Sequence, residues 1–223
     1  MLLVRDSMTR EVVTAAPTAT AAEALALCRE RRIRHLPVVE GRRLIGFISD
    51  RDLRSATPAL GAPGRTAALE RITVGDEMAR DVVTARPDDP VEHAAMAMYE
   101  KRIGCLPVVD GGELVGILTA SDVMKAFVRL VGAHEPGSRV EVALPDHPGA
   151  LAGVVDVLRE EGVNLVSVLA SPEAERGSDG AVRRVVVLRL GTMNTLGAVE
   201  RMRGAGYEEL WPPAPDEGSG RAS

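Results

Sequence analysis

Aromatic residues are scarce. The 223-residue chain holds two Phe, two Tyr and one Trp. Five rings (Phe47, Tyr99, Phe127, Tyr207, Trp211) cannot tile a stacking surface, which argues against a platform for single-stranded nucleic acid. The formal net charge of −5 argues against a broad phosphate-backbone footprint. There are two cysteines, Cys28 and Cys105, and no CxxC, so both read as reduced core thiols. No apolar run approaches the ~20 residues that span a bilayer, and no secretory or transit pattern opens the chain. A cytoplasmic protein with no membrane partner is expected. Gly-x-Ser-x-Gly, HExxH, the P-loop and the dinucleotide fingerprint are all missing. His35, His93, His134 and His147 stand at no metal-ligand spacing. Neither catalysis, nor a catalytic cofactor, nor a metal is expected.

The chain does contain a duplication. Residues 2–56 align with 72–126 without a gap, and 22 of those 55 positions are identical. Leu36-Pro37-Val38-Val39 returns as Leu106-Pro107-Val108-Val109. Gly46-Phe47-Ile48-Ser49-Asp50-Arg51-Asp52 returns as Gly116-Ile117-Leu118-Thr119-Ala120-Ser121-Asp122. A fixed-period match of this length marks a duplicated structural unit.

Within each copy the pattern predicts β-α-β-β-α. Val12-Val13-Thr14 is β-branched and reads as a strand. Thr20 and Glu23 form a capping box ahead of an apolar face at Ala21, Ala24, Leu25 and Cys28. Strands at 34–39 and 44–49 flank a turn, and a helix begins at Asp50. Residues 57–71, with Pro58, Gly61, Pro63 and Gly64, read as a linker. The second copy repeats the scheme, with Asp89 as N-cap and Pro90 at the first helical position. After glycines at 132–137 the order becomes β-α-β-β-α-β, the ferredoxin-like arrangement. Its third strand is expected after a polar loop at 172–181. Residues 212–223 are rich in Pro, Gly, Ser and charge and read as a disordered tail.

The duplicated unit resembles the cystathionine-β-synthase (CBS) domain, and the pair resembles a Bateman module. The matching residues are Val-x-Asp-x-Met near the start of each copy, the Leu-Pro-Val-Val strand and Gly-x-x-[Ser/Thr]-x-x-Asp. Residues 138–211 resemble an ACT domain through Asp146-His147-Pro148-Gly149 and Val163-Asn164-Leu165. The order CBS-CBS-ACT is similar to the acetoin-utilisation accessory protein family. The resemblance implies an α+β fold of two pseudo-symmetric CBS domains, 1–70 and 71–132, then a ferredoxin-like ACT domain, 138–211.

The resemblance also implies two adenine-nucleotide sites, for the AMP/ADP/ATP class or S-adenosylmethionine. The first would draw on Val12, Val13, Thr14, Ala15, Arg34, His35, Leu36, Pro37, Ser49, Asp50, Arg51 and Asp52, with Ser49 on a phosphate and Asp52 on ribose hydroxyls. The second would draw on Val82, Val83, Thr84, Ala85, Arg86, Arg102, Gly104, Cys105, Leu106, Pro107, Thr119, Ser121 and Asp122. Ser-x-x-Asp and Thr-x-x-Asp at a helix start are also capping motifs, and both readings stand at this point. Arg34, His35, Arg51 and Arg54 give the first site more cationic side chains than Gly104, Cys105, Ser121 and Met124 give the second, so the first is expected to favour the more highly charged nucleotide.

An ACT pocket, by resemblance, would use Asp146, Gly149, Ala150, Leu151 and Asn164 for an amino acid; a pure dimerisation surface is the alternative. Function is read as a non-catalytic sensor coupled to a partner enzyme, with a link to acetoin or related carbon catabolism. The alternative is an amino-acid sensor whose CBS pair is an oligomerisation scaffold. A homodimer is expected.

Overall fold

The computed structural model describes residues 2–59, 61–176 and 180–211. The chain divides into two compact units, Met1–Ala126 and Phe127–Ser223. The expected tail at 212–223 lies outside the described residues.

The first unit is built from two hairpins and their helices. In the first repeat a four-residue helix α1 (Val4–Ser7) precedes α2 (Ala21–Arg31), β1 (His35–Glu40), β2 (Arg43–Ser49) and α3 (Asp50–Ser55). After α4 (Arg65–Arg71), the second repeat runs α5 (Val74–Glu77), α6 (Val91–Lys101), β3 (Cys105–Asp110), β4 (Glu113–Thr119) and α7 (Ala120–Leu130). The strands form one sheet in the order β1-β2-β4-β3. The two hairpins meet at Arg43↔Glu113, where Arg42 Nε lies 2.9 Å from Glu113 Oε2.

Local chemistry explains most of these elements. Thr20 caps α2 with the expected box: Glu23 N donates to Thr20 Oγ1 and Thr20 N donates to Glu23 Oε2. Three expectations change. The segment 12–15 makes one parallel bridge, Ala15↔Val38, in place of a full strand, because Val39 N and Pro37 O are the only ladder groups that Ala15 meets. The N-cap of α6 is Pro90, while Asp89 accepts from Arg86 N at 2.7 Å. The 57–71 linker contains α4, and its Leu69 packs on the first core.

The two repeats exchange their N-terminal segments. Val4, fully buried, belongs to the core of the second repeat with Ala85, Val91, Leu106 and Leu118. Val74 and Met78 belong to the core of the first, with Ala21, Leu36, Ile48 and Leu53. Backbone bonds secure the exchange: Val4 N donates to Asp89 O, and Val74 N donates to Ala19 O. Further on, Thr9 bridges Ile117 and Ala79 bridges Phe47. Glycine allows this close approach. A Cβ at Gly46 would stand 2.3 Å from Met78 Sδ, and one at Gly116 would stand 2.4 Å from Met8 Sδ.

The second unit carries the β-α-β-β-α-β order: β5 (Ser138–Pro145), α8 (Ala150–Glu160), β6 (Leu165–Arg176), β7 (Val182–Leu190), α9 (Leu196–Gly204) and β8 (Glu208–Trp211). The sheet order is β6-β7-β5-β8, antiparallel throughout. Val140, Val142 and Leu144 alternate with more exposed neighbours and face Val154 and Leu158 of α8 and Val199 and Met202 of α9. Part of the polar segment expected to loop at 172–181 instead extends β6. It re-pairs at Ala174↔Arg184 after a register shift, and Arg184 Nη1 donates to Ser171 O and Pro172 O there.

Candidate functional site

Two clefts open in the first unit, and each is walled by both repeats. The first, of about 560 Å³, gathers Arg34, His35, Ser49, Asp50, Arg51 and Asp52 from the first repeat. Opposite them stand Val82, Val83, Arg102, Gly104, Cys105 and Pro107 from the second. The other, of about 590 Å³, gathers Thr119, Ser121 and Gly104 with Val12, Val13, Arg34 and His35.

The expected partition of residues therefore needs correction. Val12 and Val13 face Thr119, and Val82 and Val83 face Ser49 and Asp52. Each extended segment follows an exchanged helix, so it lines the cleft of the opposite repeat. Several residues line neither cleft. Leu36 and Leu106 are core residues and Pro37 is buried in β1. Ala15 and Ala85 are committed to bridges. Thr14 borders a separate depression against α2, and Thr84 also lies outside both clefts. Arg86 pairs with Asp88 at 3.3 Å. Arg102, expected at the second site, lies in the first cleft.

The Ser-x-x-Asp and Thr-x-x-Asp corners are capping boxes in both repeats. Ser49 Oγ donates to Asp52 Oδ2 at 2.6 Å, Ser49 N donates to the same oxygen at 3.0 Å, and Asp52 N donates to Ser49 Oγ at 3.2 Å. Thr119 and Asp122 repeat these three distances. The box spends Oδ2 of each aspartate and leaves Oδ1 outside it. Asp52 lines its cleft, whereas Asp122 is not among the residues lining the other and has Lys125 Nζ at 3.8 Å from Oδ1.

Sequence reasoning did not name Phe47, Ala79 and Asp81 in the first cleft or Thr9, Glu11, Arg32 and Ile117 in the other. The available signal was position: soon after Met8 and Met78, inside the Gly-x-x-[Ser/Thr] strand or, for Arg32, its equivalence to Arg102 in the duplication. Phe47 stacks on His35 with ring centroids 5.8 Å apart and planes 21° from parallel.

Burial dominates the electrostatics of the cleft wall. It pushes the Cys105 thiol up to about 12 and raises Cys28 as well, so neither is a nucleophile at neutral pH. Desolvation also lowers the His35 pKa below its ordinary 6.5, against the opposing pull of Asp50 and Asp52 and aided by Arg34. The folded chain then binds the His35 proton less readily than the unfolded chain. Stability should rise with pH through a window just below 6.5 and be lost as pH falls through it. Denaturant midpoints taken from about pH 5 to about pH 7 should show that slope, and His35→Gln should flatten it. An identical slope in the variant would refute the assignment.

In the second unit the structure separates the expected pocket residues. Gly149, with φ +87°, is the N-cap of α8, beside Ala150 and Leu151. Asp146 Oδ1 accepts from Arg184 Nε at 3.1 Å at that end. Asn164 lies past the other end of α8, where its carbonyl accepts from Gly191 N. Eleven helical residues, roughly 16 Å, separate the two ends.

Comparison with known proteins now bears on this geometry. The CBS domain pattern matches residues 4–58 and 74–129, and the ACT domain pattern matches 138–206. The CBS domain-containing protein YhcV of Bacillus subtilis is 35% identical over 123 residues, covering 55% of this chain and 84% of that protein. The chain belongs to the CBS-domain proteins. It consists of a tandem CBS pair followed by an ACT domain. A Vibrio cholerae structure assigned to acetoin utilization (AcuB) is 34% identical with a TM-score of 0.52, over 60% of this chain and 96% of that one. CBSX2, of Arabidopsis thaliana, was solved in complex with AMP; it is 29% identical with a TM-score of 0.50, over 58% of this chain and 98% of that one. Several enzymes also match the CBS pair, but the chain spans only 23–25% of their length. Among the described residues no helix is long and apolar enough to cross a membrane, and no His, Cys, Asp and Glu group could hold a metal.

Proposed function

We propose that the CBS pair is a non-catalytic sensor that takes an adenine nucleotide in each of its two clefts and couples occupancy to a partner enzyme. One observation carries this reading. Each cleft joins the strand-to-helix corner of one repeat, Ser49–Asp52 or Thr119–Ser121, to the extended Val-Val segment of the other, in a volume suited to a nucleotide-sized ligand. Backbone groups of Val13 and Val83, which line the clefts, can pair with the edge of a base. In the first cleft the Asp52 oxygen outside the capping box can accept from ribose hydroxyls, and in both clefts the arginines can hold phosphates. AMP bound to a similar CBS pair supports the class of ligand. A ligand that prefers one arrangement of the pair shifts its population by its differential affinity. The ACT domain would take an amino acid at the α8 N-terminus, where Asp146 and Arg184 offer both charge signs. A cytoplasmic homodimer acting in acetoin or related carbon catabolism fits this reading.

Calorimetric titration of the full chain with AMP, ATP, S-adenosylmethionine and the twenty amino acids tests it. Asp52→Ala should weaken nucleotide binding in the first cleft by about tenfold, the loss of a charged hydrogen bond. It should also cost ~1 kcal/mol of stability through the lost cap. Asp122→Ala should lower stability similarly but leave affinity in the other cleft intact, since Asp122 is not among the residues lining it. A stability loss with affinity intact in Asp52→Ala would reduce that aspartate to a cap and reject its ligand role.

A further inference from the structure

The two clefts are not separate rooms. Arg34, His35 and Gly104 line both of them. The duplication places Arg34 and Gly104 at equivalent positions, so the pseudo-two-fold relation supplies one guanidinium where a symmetric pair would have two. Among the described residues the Arg34 side chain has no hydrogen-bond or ion-pair partner, and it is exposed. Its carbonyl is fixed instead, accepting from Asp50 N at 2.9 Å, so a free side chain extends from an anchored backbone.

The remaining cations are divided unequally. Arg51 and Arg102 line the first cleft, and Arg32 lines the other. Arg32 and Arg102 hold equivalent left-handed positions, φ 54° and 55°, and give each cleft one arginine of its own. Ser121 stands where Arg51 would have its counterpart.

Resting on the nucleotide reading above, we infer that Arg34 is a shared anion ligand for which phosphates in the two clefts compete. A guanidinium that forks onto one phosphate has its donors oriented and spent. The second phosphate-bearing ligand then binds without it. Occupancy of either cleft by a charged nucleotide lowers affinity at the other, and the coupling is reciprocal. An uncharged nucleoside escapes the competition. The pair thereby responds to ligand charge as well as to adenine, and the cleft with fewer arginines of its own depends on Arg34 more.

The test blocks one cleft at a time in the full chain. Val83→Trp fills the first cleft and Ser121→Trp the other, both at exposed positions. Titrations with ATP and with adenosine are then made with and without Arg34→Gln. Arg34→Gln should weaken ATP about tenfold where Val83→Trp leaves only the cleft with Arg32, weaken it less where Ser121→Trp leaves the cleft with Arg51 and Arg102, and leave adenosine unchanged. In the unblocked chain the second ATP should bind more weakly than in the matching blocked variant by a similar factor. Gly104→Arg, whose Cβ would meet only His35 Cε1 at 3.8 Å, should remove that penalty. An effect of Arg34→Gln in one background or in neither would overturn the shared role, as would a penalty that survives Gly104→Arg. Failure of the unaltered chain to bind either ligand would instead overturn the nucleotide reading itself.

Discussion

A fragment of residues 1–70 should fail to unfold cooperatively, whereas a fragment of residues 9–80 should give a sigmoidal denaturant transition. The first follows the duplication as the sequence presents it. It carries α1, whose Val4 belongs to the other core, and lacks Ile72, Val74 and Met78, which belong to its own. Burying a side chain such as Val or Met contributes roughly 1.5–3 kcal/mol. Losing Val74 and Met78 together removes a large part of the roughly 5–15 kcal/mol that holds a typical domain. The second fragment keeps every member of the first core and drops a helix that serves elsewhere. Circular dichroism against urea, at concentrations low enough to suppress exchange between copies, distinguishes them. A 1–70 fragment at least as stable as 9–80 would contradict the exchanged arrangement.

That contrast also marks what the sequence could tell. The Leu-Pro-Val-Val strands, the helix at Ala21–Arg31 and its Thr20–Glu23 box were legible because alternation, helical spacing and capping are local signals. The β-α-β-β-α-β order of the second unit was legible for the same reason. The partition of the clefts was not. A repeat of 70 residues looks the same whether α1 packs within its own copy or on the other, since Val4 and Val74 are identical and so are Met8 and Met78. The sequence alone therefore pairs Val12 with Ser49, whereas Val12 lines the cleft with Thr119. Helix α4 was obscured by the Pro and Gly residues that precede it. Asn164 and Asp146 were grouped by motif, but the length of α8 holds them apart.

Exchange makes a second, sharper prediction at the glycines of β2 and β4. Gly116→Val should destabilise the chain by roughly 2–3 kcal/mol, at the upper end of what overpacking costs. Its Cβ would stand 2.4 Å from Met8 Sδ and 3.1 Å from Thr9 O. The thioether can swing away, but Thr9 O accepts from Ile117 N at 2.9 Å and has less freedom. Met8→Ala should therefore recover part of the loss, and Met78→Ala should recover none. In a double-mutant cycle the Gly116–Met8 pair should show a coupling of about 0.5–3 kcal/mol, as residues in contact do. Gly46–Met78 should behave as its mirror, and the crossed pairs Gly46–Met8 and Gly116–Met78 should be additive. The functional consequence is selective. Thr9 lines the cleft that holds Thr119, and Ala79 lines the cleft that holds Ser49 and Asp52. Displacing the segment at Met8 should weaken ligand in the first of these two clefts and spare the other, and displacing the segment at Met78 should do the reverse. Coupling within each copy, Gly46 with Met8, would mean that the helices do not cross. Each cleft would then belong to a single repeat, and the basis for one repeat sensing what the other holds would be lost.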